Sequence, residues 1–467
     1  MGTSYQIEET YRVQNIKVDV LKFSLPLSYF NDDYSGQEIS VFATLCQKFD
    51  PEVTDLLPKV PKVVTFIQGG PGYPCSPPAT NIPYTNIFID RGYQVLYMDQ
   101  RGTGLSTPIN STSFPQLIPK TSESEVNYVV KQLHYILNFT GASIVEDLER
   151  IREILLKTRK WSISGQSFGG FCSFIYLSKY PNSIKESFIT GGVPPINHGP
   201  DDVYRSTYKR AKERNIHYYS KYPQDVTKVN TILTYLSTNK TSLPDGGNLS
   251  VERFQQMGLN FGQHGGTDKI HSLVQYFYND LKMFGAPSFN TLTSVLNSLH
   301  FDTNVIYALF QESIYCDGNN PQVKTSNWSA DRLRYLPENT SFVFQEGREE
   351  PTFFTTEMVY KSMYNDYVEL RPFKGLAFAL HLNTQWPKLY DIETLRTLTF
   401  EKVPIVGAVY VHDLYVDFDL SRKVLEDTFG GRNFRAFMTS EFFHGGYLKD
   451  PQRVMGTLFK LLESEVD

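Results

Sequence analysis

Two hydrophobic rhythms divide this chain. Residues 14–24 and 38–46 place apolar side chains at every second position, as half-buried strands do. The stretch Phe30 to Gly36 between them is rich in Asn, Asp, Ser and Gly and reads as their loop. Shorter apolar runs follow at Val63 to Ile67, Tyr93 to Met98, Trp161 to Ile163 and Lys185 to Thr190. A Gly-rich segment follows each of them, so each run predicts a short buried strand with a turn behind it. Ile144, Leu148, Ile151 and Leu155 instead have helical spacing, as do Phe171, Phe174 and Leu177. Strands alternating with helices predict an α/β fold with a mostly parallel central sheet. In such sheets ligands gather at the carboxyl ends of the strands, which here carry the Gly-rich segments.

The rhythm changes at Pro195. From there to about residue 375 long amphipathic stretches replace strand signals, which predicts a mainly helical insertion. Strand signals resume at Val403 to Val411 and Asn433 to Thr439, and residues 450–464 read as a terminal helix. The predicted organisation is a core in two parts, 1–195 and 375–467, with a helical cap over 196–374.

Composition narrows the function classes. Of 467 residues, 40% are hydrophobic and 20% charged, a globular balance with a large core. The net charge of −5, without a dense Lys/Arg run, gives no reason to expect nucleic acid or an anionic membrane surface as partner. No apolar stretch approaches the roughly 20 residues of a membrane helix, and the first 20 residues lack an apolar signal core. Cys46, Cys75, Cys172 and Cys316 are widely spaced, with no metal-ligand rhythm. Free thiols, a cytoplasmic location and no metal or organic cofactor are the expectations.

The chemistry concentrates in Gly165-Gln166-Ser167-Phe168-Gly169-Gly170. This Gly-x-Ser-x-Gly sits between a predicted strand and a predicted helix, the context of a nucleophile elbow. A serine hydroxyl needs a general base held by a carboxylate, and on such an elbow the order is Ser, acid, His. His444 is the last of nine histidines and follows the 433–439 strand, so it is the predicted base. Asp413 is the first carboxylate past the preceding strand and is the predicted acid, with Asp417 in reserve. Asp419 is expected to cap the next helix, and His412 to belong to the strand. Two backbone donors should face the oxyanion: the N–H of Phe168, and one from the loop after Val63 to Ile67, where Gly70 fits best. Asp99 to Ser106 reads as scaffold, with Arg101 tying loops together.

Taken together, Gly69-Gly70-Pro71-Gly72, Asp99-Gln100-Arg101-Gly102-Thr103-Gly104-Leu105-Ser106 and the Ser167 elbow resemble the prolyl aminopeptidase (proline iminopeptidase) group of α/β-hydrolases. Tyr410 to Leu420 and His444-Gly445 reinforce the resemblance, and Gln311 to Cys316 and Glu357-Met358 look like cap segments of its larger fungal and actinobacterial members. Gln68 departs from the His that many relatives carry before Gly-Gly-Pro-Gly. The resemblance implies a serine aminopeptidase acting on a peptide with a free N-terminus, often proline. It also implies cap carboxylates for the substrate's amino group, with Glu312 and Glu357 as candidates. An esterase or lipase on the same fold, or a non-catalytic hydrolase-fold binding protein, are the alternatives.

Overall fold

The computed structural model describes residues 5–52, 55–75, 82–430 and 433–465. Among the described residues, nine strands form one sheet in the order β1-β2-β3-β5-β4-β6-β7-β8-β9. They are β1 (Tyr5–Val13), β2 (Ile16–Pro26), β3 (Glu38–Lys48), β4 (Val63–Ile67), β5 (Gln94–Met98), β6 (Trp161–Gln166), β7 (Ile184–Thr190), β8 (Ile405–Tyr410) and β9 (Phe434–Thr439). The first three strands and the β3–β5 pair run antiparallel. From β5 through β9 every pairing is parallel. The predicted α/β class with a mostly parallel sheet is therefore the one observed. β1 is the strand that the hydrophobic pattern missed. It lies on the edge, is largely exposed and pairs only with β2, so no buried face imposes an alternation on it.

Period-two alternation sorts the inner strands onto two cores. Val63 and Ile67 of β4, Leu96 and Met98 of β5, and Ile405 and Val409 of β8 join the core on one face. Their neighbours Val64, Phe66, Val95, Tyr97, Val406 and Ala408 join the other. The second face is covered by helices Ile82–Ile89 and Pro451–Glu463 through Tyr84, Phe88, Val454, Leu458 and Phe459. The first face is covered by helices Gly141–Leu156 and Phe168–Lys179 and, beyond them, by the long helical segment between β7 and β8. Among the described residues that segment contains helices and turns, with a single bridge between Ser242 and Asn248. The expected boundary at 374/375 falls at the start of helix Lys374–His381, which packs on helix Glu125–Ile136.

Arg101 ties the core loops together, as its position after β5 suggests. Its guanidinium is buried and binds Asp147 through Nε at 2.7 Å and Nη2 at 2.5 Å. Its remaining donors reach the carbonyls of Pro26, Leu27 and Asn138 at 2.7–3.1 Å. A buried charge is tolerable only when paired and fully hydrogen-bonded, and here it is both. The sheet order reverses around β4, with β5 on one side and β6 on the other. The loops leaving β4 and β6 diverge there and leave a crevice at their carboxyl ends.

Candidate active site

Ser167 stands at the end of β6 and directly precedes helix Phe168–Lys179. Its backbone has φ +54° and ψ −124°, a strained conformation for a residue with a side chain. Close packing on both sides of the turn explains the flanking glycines. A Cβ on Gly169 would lie 1.8 Å from the carbonyl oxygen of Ile67, and one on Gly165 would lie 2.4 Å from that of Gly169. The helix start is thus pressed against the end of β4, and Ser167 is held between β4 and β7 by its own N–H, which bonds Thr190 O at 3.0 Å.

His444 lies on the loop after β9 and is buried against the elbow. Its Nδ1 is 2.7 Å from Asp413 Oδ2. A carboxylate only accepts, so Nδ1 carries the proton and Nε2 is left as the acceptor. Nε2 lies 3.4 Å from Gln166 Nε2, the side chain that immediately precedes Ser167. Asp413 is in turn fixed by the N–H groups of Tyr415 and Val416, at 2.8 and 3.0 Å on Oδ1. Burial works against the imidazolium, but the charge and hydrogen bond of Asp413 and the charge of Glu357 outweigh it, so His444 is held above the ordinary histidine range.

The reserve acid has other work. Asp417 caps helix Phe418–Phe429 by accepting from Leu420 N at 2.9 Å, and it pairs with Arg210 Nε at 2.9 Å. This corrects the expectation that Asp419 caps the helix: Asp419 lies inside the first turn and binds Arg210 Nη2. His412 is likewise outside β8, exposed in the turn that follows it.

The turn after β4 lies beside the nucleophile. A Cβ on Gly69 would come within 3.0 Å of Ser167 Cβ. The Gly69 N–H bonds Gln68 Oε1 at 2.9 Å, and Gln68 Nε2 bonds Pro74 O at 2.9 Å. Gln68 therefore staples the turn with its side chain. The Gly69 N–H is thus engaged and Pro71 has none, while Phe168 supplies a free N–H at the helix start. An apolar pocket borders the pair, lined by Pro71, Phe168, Ile175, Phe310 and Ile314.

The two cap glutamates have opposite environments. Glu312 is fully buried, and its oxygens accept from Ser329 N and Ala330 N, both at 2.9 Å. His381 Nδ1 lies 3.1 Å from the same carboxylate. Glu312 thus caps the start of the short helix Ser329–Arg334, and both its oxygens already accept a backbone N–H. Glu357 sits on an irregular, buried segment and accepts from Tyr307 Oη at 2.7 Å. Burial, with a smaller push from Asp413, raises its carboxyl to about 7, against the pull of His444, Tyr307 and Gln311. Among the candidates it is the carboxylate that shares a field with His444 and Asp413. Tyr307, Gln311, Gln166 and Tyr415, whose ring stands edge-on to His444 at 4.8 Å, are site neighbours that sequence reasoning did not single out. Their tyrosines and glutamines look like ordinary core or turn residues until the chain is folded. The described residues include no cluster of three or more metal-ligating side chains.

A profile for the alpha/beta hydrolase fold matches residues 62–294. A proline iminopeptidase of Aeromonas sobria is 35% identical over 454 residues, covering 97% of this chain and 98% of that protein. The chain belongs to the proline iminopeptidase family. Proline iminopeptidase aneH of Aspergillus aculeatus is similar to the same extent, 34% identical over 453 residues, with 96% of this chain and 94% of the relative covered. A solved proline iminopeptidase from Mycobacterium smegmatis is 11% identical, with a TM-score of 0.41 over 94% of this chain and 97% of that one, a likeness too loose to add to the assignment. Membership is full-length: both halves of the sheet and the helical segment lie within the aligned span of the two sequence relatives.

Proposed function

We propose that this chain is a serine aminopeptidase that removes an N-terminal residue, proline, from peptides. Ser167 attacks the carbonyl carbon of the first residue. His444 takes the serine proton on Nε2 and later delivers it to the leaving amine, while Asp413 holds the imidazole and stabilises its charged form. The N–H groups of Phe168 and Gly70 receive the oxyanion. Water then attacks the acyl-enzyme, with His444 as base again, and releases the free amino acid. Glu357 pairs with the substrate's ammonium, and residues 196–374 act as the cap that brings it there. No metal or organic cofactor takes part in these steps. The four free cysteines fit a reducing compartment, the cytoplasm. Among the described residues no helix is long and apolar enough to cross a membrane.

The observation that carries this reading is the Asp413–His444 pair at 2.7 Å against the Ser167 elbow, with the buried Glu357 in its field. The test is a panel of aminoacyl-arylamides, an N-blocked prolyl-arylamide and a simple aryl ester. Wild type should prefer the free prolyl amine. Ser167→Ala should fold normally and lose turnover by roughly four to six orders of magnitude. Fast ester cleavage with indifference to the amine would replace this reading with an esterase.

A further inference from the structure

We infer that Gln311 is a second acceptor for the substrate's amino group beside Glu357; the inference rests on the aminopeptidase reading above. Gln311 ends the helix Val305–Phe310 and is 2% exposed. It stands one helical turn after Tyr307, and its backbone N–H bonds Tyr307 O at 3.1 Å. Residues four apart on a helix project to the same side, and both side chains here meet Glu357. Tyr307 donates its hydroxyl proton to Oε1 at 2.7 Å, and Gln311 is close enough to help hold the carboxylate in its charged form. Because an ionised carboxylate only accepts, Gln311 must offer its amide nitrogen. Its amide oxygen is then turned away from Glu357, and that oxygen is buried with no hydrogen-bond partner among the described residues.

A buried carbonyl oxygen without a donor is costly, and a ligand that brings an N–H relieves the cost. An N-terminal prolyl residue brings a secondary ammonium with two N–H groups. One reaches Glu357, whose Oε1 is already shared with Tyr307, and the other reaches Gln311 Oε1. The neighbouring Glu312 takes no part, since its oxygens serve Ser329 and Ala330. Tyr204 Oη is also unpartnered and lies within the field of Glu357. A hydroxyl donates as well as accepts, however, so it does not select for an ammonium as an amide oxygen does.

The experiment compares two competitive ligands that the enzyme cannot cleave, L-prolinol and its carbocyclic isostere cyclopentylmethanol. Their inhibition constants are measured in wild type, Gln311→Leu, Gln311→Glu and Glu357→Gln. Gln311→Leu should weaken prolinol about ten-fold and leave cyclopentylmethanol unchanged. Gln311→Glu keeps an acceptor of the same shape and should bind prolinol at least as tightly as wild type. Equal weakening of both ligands in Gln311→Leu would mean a packing role and overturn the inference. Weaker prolinol binding in Gln311→Glu would overturn it too, and decides the matter if the leucine variant fails to fold. If Glu357→Gln weakens prolinol but Gln311→Leu does not, Gln311 is no acceptor while the Glu357 anchor stands. If neither substitution matters, the amine-anchor reading fails with it.

Discussion

A carboxyl held near pH 7 inside a protein is a destabilised group, and Glu357 is one. Its folded value of about 7 exceeds the ordinary 4.5, so the folded state binds its proton more tightly than the unfolded state does. Stability is therefore lost as pH rises from about 4.5 to about 7. Glu357→Gln removes the ionisation. Urea unfolding should find the variant more stable than wild type near pH 8, by on the order of 2–3 kcal/mol, with most of the difference gone near pH 4. A difference independent of pH would contradict this account. On the proposed function, the same substitution should also weaken binding of a cationic substrate. Ser167 illustrates the same principle in its backbone, where a positive φ on a residue with a side chain is strain tolerated at a site of chemistry.

At the scale of elements, what matters is how closely they approach. The helix after Ser167 starts so near β4 that Gly169 has no room for a methyl group, the obstacle being the Ile67 carbonyl rather than a flexible side chain. Gly169→Ala should therefore force β4 and the helix apart. Chemical denaturation should show a loss of about 3 kcal/mol or more, together with lost fluorophosphonate labelling of Ser167. A variant with wild-type stability would show that the junction is looser than the structure has it. This element was legible in the sequence because two glycines flanking a serine between an apolar run and a helical pattern have few other uses. The Asp417 cap was not legible. Asp413, Asp417 and Asp419 all follow one strand within seven positions, and only the course of the backbone decides that Asp413 holds His444, that Asp417 caps the helix and that Asp417 and Asp419 share Arg210. β1 was illegible for the opposite reason: an exposed edge strand is held by backbone hydrogen bonds, which leave little trace in side-chain pattern.

At the scale of the whole molecule, two layers meet at one site. The sheet loops contribute Ser167, Asp413 and His444, and the helical segment contributes Glu357, Tyr307 and Gln311. The proposed mechanism on a cationic substrate needs His444 neutral and Glu357 ionised, and acid reverses both. His444 is raised and Glu357 lies at about 7, so each gains a proton as the pH falls. On its acid limb, log kcat/KM for a prolyl-arylamide should fall with a slope of about two per pH unit, relaxing to about one in Glu357→Gln. A slope of one in wild type would mean that the carboxyl does not titrate with catalysis.

The inner strands, the elbow, and the loops that carry Ser167, Asp413 and His444 could be read from the chain because they depend on local rules. These are the period of apolar residues, the steric demand of a tight turn, and the succession of loops along one sheet edge. The roles of Glu312 and Glu357 depend on which partners surround each carboxylate. Those partners, Ser329 and Ala330 for one and Tyr307, Gln311 and His444 for the other, come from distant stretches of chain. Only the packed structure could determine that one glutamate is spent on a helix end and the other is buried within the field of His444, because desolvation and pairing are properties of the folded surroundings, not of the residue.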